Sequence, residues 1–213
     1  MDAPCAPLPA AAEWYARLRA PSPALHAGQR VAVEVDLAAS AEFSREADGS
    51  LRYGMAFNDI AEGWSWQPQA RPEAEDYYRW KFLPLQSFSE EGAAYVQEEK
   101  IGVPQRTRVE RRHDYFLAFD NPQAFYRRDT PEFVVRPAVP AAGDTALRLV
   151  AIARLAAPAH AESSTFWKAT HARPVDFLLK KYYLIGQLEA LVVCDAGSAR
   201  ELARIVPAGA SQR

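Results

Sequence analysis

In the stretch EGWSWQPQARPEAEDYYRWKF, Glu62 to Phe82, Trp64 and Trp66 stand two residues apart, and Tyr78 and Trp80 repeat that spacing. In an extended segment, positions i and i+2 share a face, so each pair presents two rings side by side. Such a pair stacks on a sugar ring, a proline or an aliphatic chain, because indole offers large apolar area at low entropy cost and an N–H handle. The polar residues between the pairs place the segment at the surface, where exposed aromatics signal binding. A competing reading, aromatics that pin a long loop over the open edge of a β-domain, has an equal claim on the same four side chains.

Other chemistry is sparse. The four histidines, His26, His113, His160 and His171, form no H-E-x-x-H, and the ten glycines are scattered so that neither G-x-G-x-x-G nor a P-loop can be written. The nucleophile elbow G-x-S-x-G is also missing. His113 and His171 are the candidates for a general base, a role that requires a concave pocket with a carboxylate and a nucleophile or water in reach. His160 and His171 with a carboxylate form a weak metal candidate, for which surface histidines are the simpler account, and no metal or cofactor is expected.

Cys5 and Cys194 are the only two cysteines, the minimum for a disulfide and a poor number for a metal site. Their pairing is expected, because a free thiol in a Pro-rich arm is a liability. It also directs the reading of compartment toward a periplasmic or secreted protein, with a leader peptide not part of this chain. A cytoplasmic protein is the alternative. No apolar run approaches the ~18 residues that a membrane-spanning helix needs.

With 27 acidic and 25 basic side chains, the net charge of −2 supplies no global field for nucleic acid or an anionic surface; a polyanion partner would need a local patch. Arg106, Arg108 and Arg112 share a strand face, but Glu110 and Asp114 interrupt it, so a solvated face is expected and no nucleic-acid partner.

The elements that must position these residues are legible in outline. AAAEWYARLRA reads as a short helix ended by Pro21 and Pro23. RVAVEVDLAA alternates Val31, Val33, Val35 and Leu37 against Glu34 and Asp36, the pattern of a half-buried strand. Asp48-Gly49 between two alternating runs signals a hairpin. Residues 58–79 lose the alternation and read as a long loop with a short helix near PEAEDYYRW. Strands follow at KFLPLQSF, AAYVQEEKIGV, RTRVERRHDYFLAF, EFVVRPAV and DTALRLVAIARLAAP, with a polar stretch around AHAESSTF. The apolar run VDFLLKKYYLIGQLEALVVCD favours a buried strand with a bend at Gly186, although a helical period fits in part. In GSARELARIV, Ser198 precedes Glu201 by three residues as in a capping box, which predicts a C-terminal helix.

The expected fold is α+β: a mostly antiparallel sheet with a short N-terminal helix and a capped C-terminal helix. Residues 1–27 form the arm and helix, 28–207 a single globular domain, and 208–213 a frayed tail. The expected function is a non-enzymatic binding or interaction module, plausible for a bacterial cell envelope, with a protein, peptide or carbohydrate partner at Trp64, Trp66, Tyr78 and Trp80. The alternatives are a small hydrolase with a histidine base and a structural subunit that buries the aromatic loop against another chain.

Overall fold

The structure is a computed structural model, and it describes residues 4–20, 25–37, 43–48, 50–54, 81–98, 104–119, 121, 132–135 and 146–206. Helix α1 spans Ala11–Arg19 and buries Ala11, Tyr15 and Leu18, spaced four and three apart along one face. The strands are β1 (Arg30–Val35), β2 (Phe43–Arg45), β3 (Leu51–Gly54), β4 (Lys81–Glu98), β5 (Pro104–Phe119), β6 (Glu132–Val135), β7 (Leu147–Trp167), β8 (Val175–Asp195) and β9 (Glu201–Ile205). The protein is thus mostly β-sheet with one short helix among the described residues.

Two sheets form. The larger has six strands in the order β1-β7-β8-β5-β4, with β9 on β8; the smaller is β2-β3-β6. The expected β2–β3 hairpin pairing is present, with Arg45 opposite Leu51 and Phe43 opposite Tyr53; Gly49 lies outside the described residues. Among the described residues all pairings are antiparallel except one, β5 with β8, which runs parallel from Arg108 opposite Val175 to Phe119 opposite Gly186. The sheet curls until the strands at its two ends touch: the Asp36 amide, just past β1, donates to the Pro84 carbonyl of β4 at 2.9 Å. Pro84 is tolerated there because β4 is an end strand with little ladder to break on that side.

The curl creates an inside. One core cluster joins Tyr15 and Leu18 of α1 to Val31, Val33 and Val35 of β1, Leu83 of β4, Leu117 and Phe119 of β5, and Leu149, Ala151 and Leu155 of β7. The helix therefore lies in the hollow of the sheet and touches β4, β5, β7 and β8. The outer face is also covered. Cys5 and Leu8 of the arm lie over Ala32, Val150, Ile152, Val192 and Cys194, and the Cys5–Cys194 disulfide fixes the arm there. Burial on both faces explains why β8 reads as a near-continuous apolar run rather than an alternating one.

The C-terminal helix is not formed: Glu201–Ile205 is strand β9, paired antiparallel with β8. The reason lies three residues before Ser198. The Asp195 carboxylate accepts from the Gly197 and Ser198 amides at 2.8 and 3.1 Å, and the Asp195 amide donates to the Arg200 carbonyl, closing a turn. Ala199 sits at φ 54°, a left-handed conformation no helix start contains. The polar AHAESSTF is likewise strand, the outer half of β7, and residues 175–195 are strand throughout. KFLPLQSF and AAYVQE belong to one strand, with register shifts at Pro84/Gln86 and Gly92/Tyr95.

Gly186 meets the expected irregularity from the other side. The extra residues belong to β7, between Leu155 and His160, and Gly186 lies opposite them. A Cβ on Gly186 would come within 2.6 Å of the Arg154 carbonyl oxygen, so only glycine allows the two backbones this close.

Candidate functional site

Strand register assembles a column of rings on the inner face of the sheet. Phe88 of β4 is the direct partner of His113 of β5, and Tyr115, two residues on, is the direct partner of Tyr182 of β8. Side chains two apart on a strand share a face, so all four rings meet. Phe88 stacks on His113 at 4.9 Å, His113 on Tyr182 at 5.8 Å, and Tyr182 on Tyr115 at 4.6 Å. Tyr15 of α1 meets Tyr182 and Tyr115 edge-on, at 4.9 and 6.2 Å, and also meets His160 of β7. Edge-to-face contact between the quadrupoles of such rings is the favoured geometry.

The polar groups around this column are few and specific. The Tyr15 hydroxyl donates to Glu162 Oε2 at 3.2 Å, and Arg19, one turn further along α1, pairs with the same oxygen at 3.2 Å. Burial and then the Glu162 charge push the Tyr15 phenol well above its ordinary range. Burial likewise raises Tyr115, with Glu90 adding to it, and Tyr182, with Tyr115 and Glu162 adding to it.

Past Arg19 the inner face is no longer covered by the helix. A cavity of about 450 Å³ opens there, lined by Arg19, Glu162, Ser163, Ser164, Lys180 and Tyr182. The Lys180 ammonium forms no ion pair or hydrogen bond among the described residues. A second cavity, of about 550 Å³, lies where the arm crosses the sheet ends near Glu34, Leu85 and Arg148, but its arginine is already paired with Glu34 at 2.7 Å. Only the first joins an unpaired cation to the ring column.

His113 sits in this column, with Nδ1 at 3.1 Å from the Tyr182 hydroxyl. Its Nε2 is buried without a hydrogen-bond partner, and Glu90 stands 3.7 Å away, beyond hydrogen-bond reach. The ring is thus held by stacking and by its contact with the Tyr182 hydroxyl. His171 lies elsewhere, exposed in the turn between β7 and β8, where its carbonyl accepts from Gln105. His160, against Tyr15, is not brought together with it, and among the described residues no group of three or more His, Cys, Asp or Glu side chains is placed to hold a metal ion. Trp64, Trp66, Tyr78 and Trp80 lie outside the described residues.

Sequence reasoning did not single out Tyr15, Arg19, Glu162, Lys180 or Tyr182. Their common signal is a charge or hydroxyl at an inward position of an otherwise apolar strand or helix face, and it can be read only once the register is known.

Fold and site define a class: among the described residues, a β-domain whose curled mixed sheet grips one helix and leaves a hollow at the helix C-terminus, lined by one ring, two cations, a carboxylate and two serines. No protein-family model matches the chain, and neither a curated protein nor a solved structure matches it.

Proposed function

We propose that this protein is a non-enzymatic binding module of a bacterial-type cell envelope, which holds a small anionic ligand with a planar or apolar body in the hollow past Arg19. The cavity lined by Arg19, Glu162, Lys180 and Tyr182 carries the proposal, because it sets the unpaired Lys180 ammonium beside the Tyr182 ring in the volume range of a small-molecule site. Lys180 meets the charged end, with Arg19 held at the rim by Glu162; the Tyr182 ring meets the body. The Cys5–Cys194 disulfide fits a periplasmic or extracellular compartment. No helix of the described residues is long and apolar enough to cross a membrane. Trp64, Trp66, Tyr78 and Trp80 are proposed as a further aromatic contact surface, on the i, i+2 spacing that pairs them.

Titration with anilinonaphthalene sulfonate, an aromatic anion, tests the site. Saturable binding by the native oxidised protein, weakened at least about tenfold by Lys180→Glu and by Tyr182→Ser with unchanged far-ultraviolet circular dichroism, is expected, since each removes one contact worth ~1.4 kcal/mol or more. Binding lost only in Trp64→Ala/Trp66→Ala would move the site to the aromatic segment. Binding indifferent to all these changes would remove the proposal.

A further inference from the structure

The large apolar side chains that remain exposed are not scattered. Among the described residues they are Tyr95, Val96, Phe166, Trp167 and Val206, and the first four belong to the end of the sheet farthest from the arm. There β4 and β5 approach their connection, and β7 and β8 are joined by the turn 168–174. Gln105, at the start of β5, donates to the His171 carbonyl in that turn, and the Arg108 amide donates to the Pro174 carbonyl, so the two hairpin ends lie side by side.

The exposure has a direction. Phe166 and Trp167 are consecutive in one strand, as are Tyr95 and Val96, so each pair points to opposite faces of the sheet. A docked protein that covers one face would leave the other member of each pair in water. A medium entered end-on wets both faces alike.

The turn beside Phe166 and Trp167 is basic. The segment from Phe166 to Arg173, FWKATHAR, carries Lys168 and Arg173 and no carboxylate, and Arg106 is exposed on the neighbouring hairpin, where Glu98 of β4 stands opposite Pro104. Asp176, at the start of β8, is held by the Ala169 amide and the Tyr95 hydroxyl, both at 2.7 Å. The turn is thus a local basic segment that the net charge of −2 does not supply.

We propose that this end of the sheet docks end-on to a bilayer surface with anionic headgroups: Phe166, Trp167 and Val96 enter the interface, and Lys168, Arg173 and Arg106 meet the headgroups. Aromatic side chains favour that boundary, and each basic residue near an anionic surface strengthens binding about fivefold. Exposed apolar and basic groups act together, so the attachment is reversible and weakens with salt.

Sedimentation of the oxidised full chain with vesicles tests this, using phosphatidylcholine alone and mixed in equal parts with phosphatidylglycerol. Binding to the mixed vesicles, absent with phosphatidylcholine alone and reduced by salt, is expected. Lys168→Glu/Arg173→Glu is expected to weaken it at least about tenfold, and Phe166→Ser/Trp167→Ser to abolish it. Far-ultraviolet circular dichroism, cooperative thermal unfolding and an intact disulfide establish that these surface variants are folded. Lys180→Glu, in the cavity, is expected to leave vesicle binding unchanged, so this surface stands or falls apart from the ligand site. No binding to mixed vesicles, or binding indifferent to both double variants, would overturn the proposal. Self-association that is lost in Phe166→Ser/Trp167→Ser, without vesicle binding, would overturn it in favour of a second copy of this chain.

Discussion

The Tyr15 hydroxyl and Glu162 are joined across 3.2 Å, although the two residues are 147 positions apart, and this contact fixes the middle of α1 to the polar half of β7. Arg19 adds an exposed ion pair to the same carboxylate. Tyr15→Phe is expected to cost about 1 kcal/mol, and Glu162→Ala a similar amount, with a Tm fall of roughly 2–4 °C each. The double variant is expected to cost clearly less than the sum. Strict additivity in thermal unfolding would show that the contact carries no coupling.

The three tyrosines of the column set an alkaline limit. Tyr15, Tyr115 and Tyr182 are all raised above the ordinary phenol value, chiefly by burial. The folded protein then holds these protons more tightly than the unfolded chain. Their contribution is fully present below about pH 10, the unfolded value, and is lost as pH rises above it. Phenolate absorbance and circular dichroism followed together should show late tyrosine ionisation, accompanied by unfolding. Ionisation of all nine tyrosines at the ordinary value, without loss of structure, would contradict the buried column.

Reduction should loosen the arm. The Cys5–Cys194 bond closes a loop of 189 residues, for which the chain-entropy treatment gives about 5 kcal/mol as an upper figure. Cys5→Ser/Cys194→Ser is expected to cost about 2–5 kcal/mol. Intact mass of the oxidised protein should lie two hydrogens below the reduced form, with no thiol that labels after denaturation. Two labelled thiols would remove both the bond and the case for export.

Gly186 tolerates no side chain. Since a Cβ there would approach the Arg154 carbonyl oxygen to 2.6 Å, Gly186→Ala requires the β7 and β8 backbones to separate. The expected loss is about 1–3 kcal/mol. Gly28→Ala, where the φ of 86° disfavours a side chain but nothing crowds it, is expected to cost about 1 kcal/mol from backbone strain alone. Equal stability of Gly186→Ala and the native protein in urea would refute the close approach.

Local patterns carried the sequence reading well where a strand has one solvated side or a turn has its own chemistry. Val31, Val33 and Val35 alternate against Glu34 because only one side of that stretch faces the hollow, and β2 pairs with β3 a few residues further along the chain. The same locality misled at Ser198. The capping-box spacing is genuine, but Asp195 lies outside that window and takes the amides first. The parallel pairing of β5 with β8 leaves no local mark, so the column of Phe88, His113, Tyr115 and Tyr182 was hidden although each ring was plain in the sequence. His113 was legible as a histidine on an inward strand face; that its ring is sandwiched follows only from Phe88 and Tyr182 on other strands. The cavity needs Arg19, Glu162 and Lys180 from three distant elements, and no spacing in the chain connects them.

The pairing of β1 with β7 also orders events in time. Arg30 finds its partner at Arg154, and Val35 at Leu149, so the first strand of the large sheet waits for more than half of the chain before it has a neighbour. Cys5 waits longer still, for Cys194. Contacts of such long sequence separation make folding slow, because loop entropy is lost before the contacts form. A chain threaded through a membrane from its N-terminus would therefore stay translocation-competent until β7 emerges. Its Cys5 thiol would then be protected later than its β1 edge, since Cys194 follows β7 in the chain.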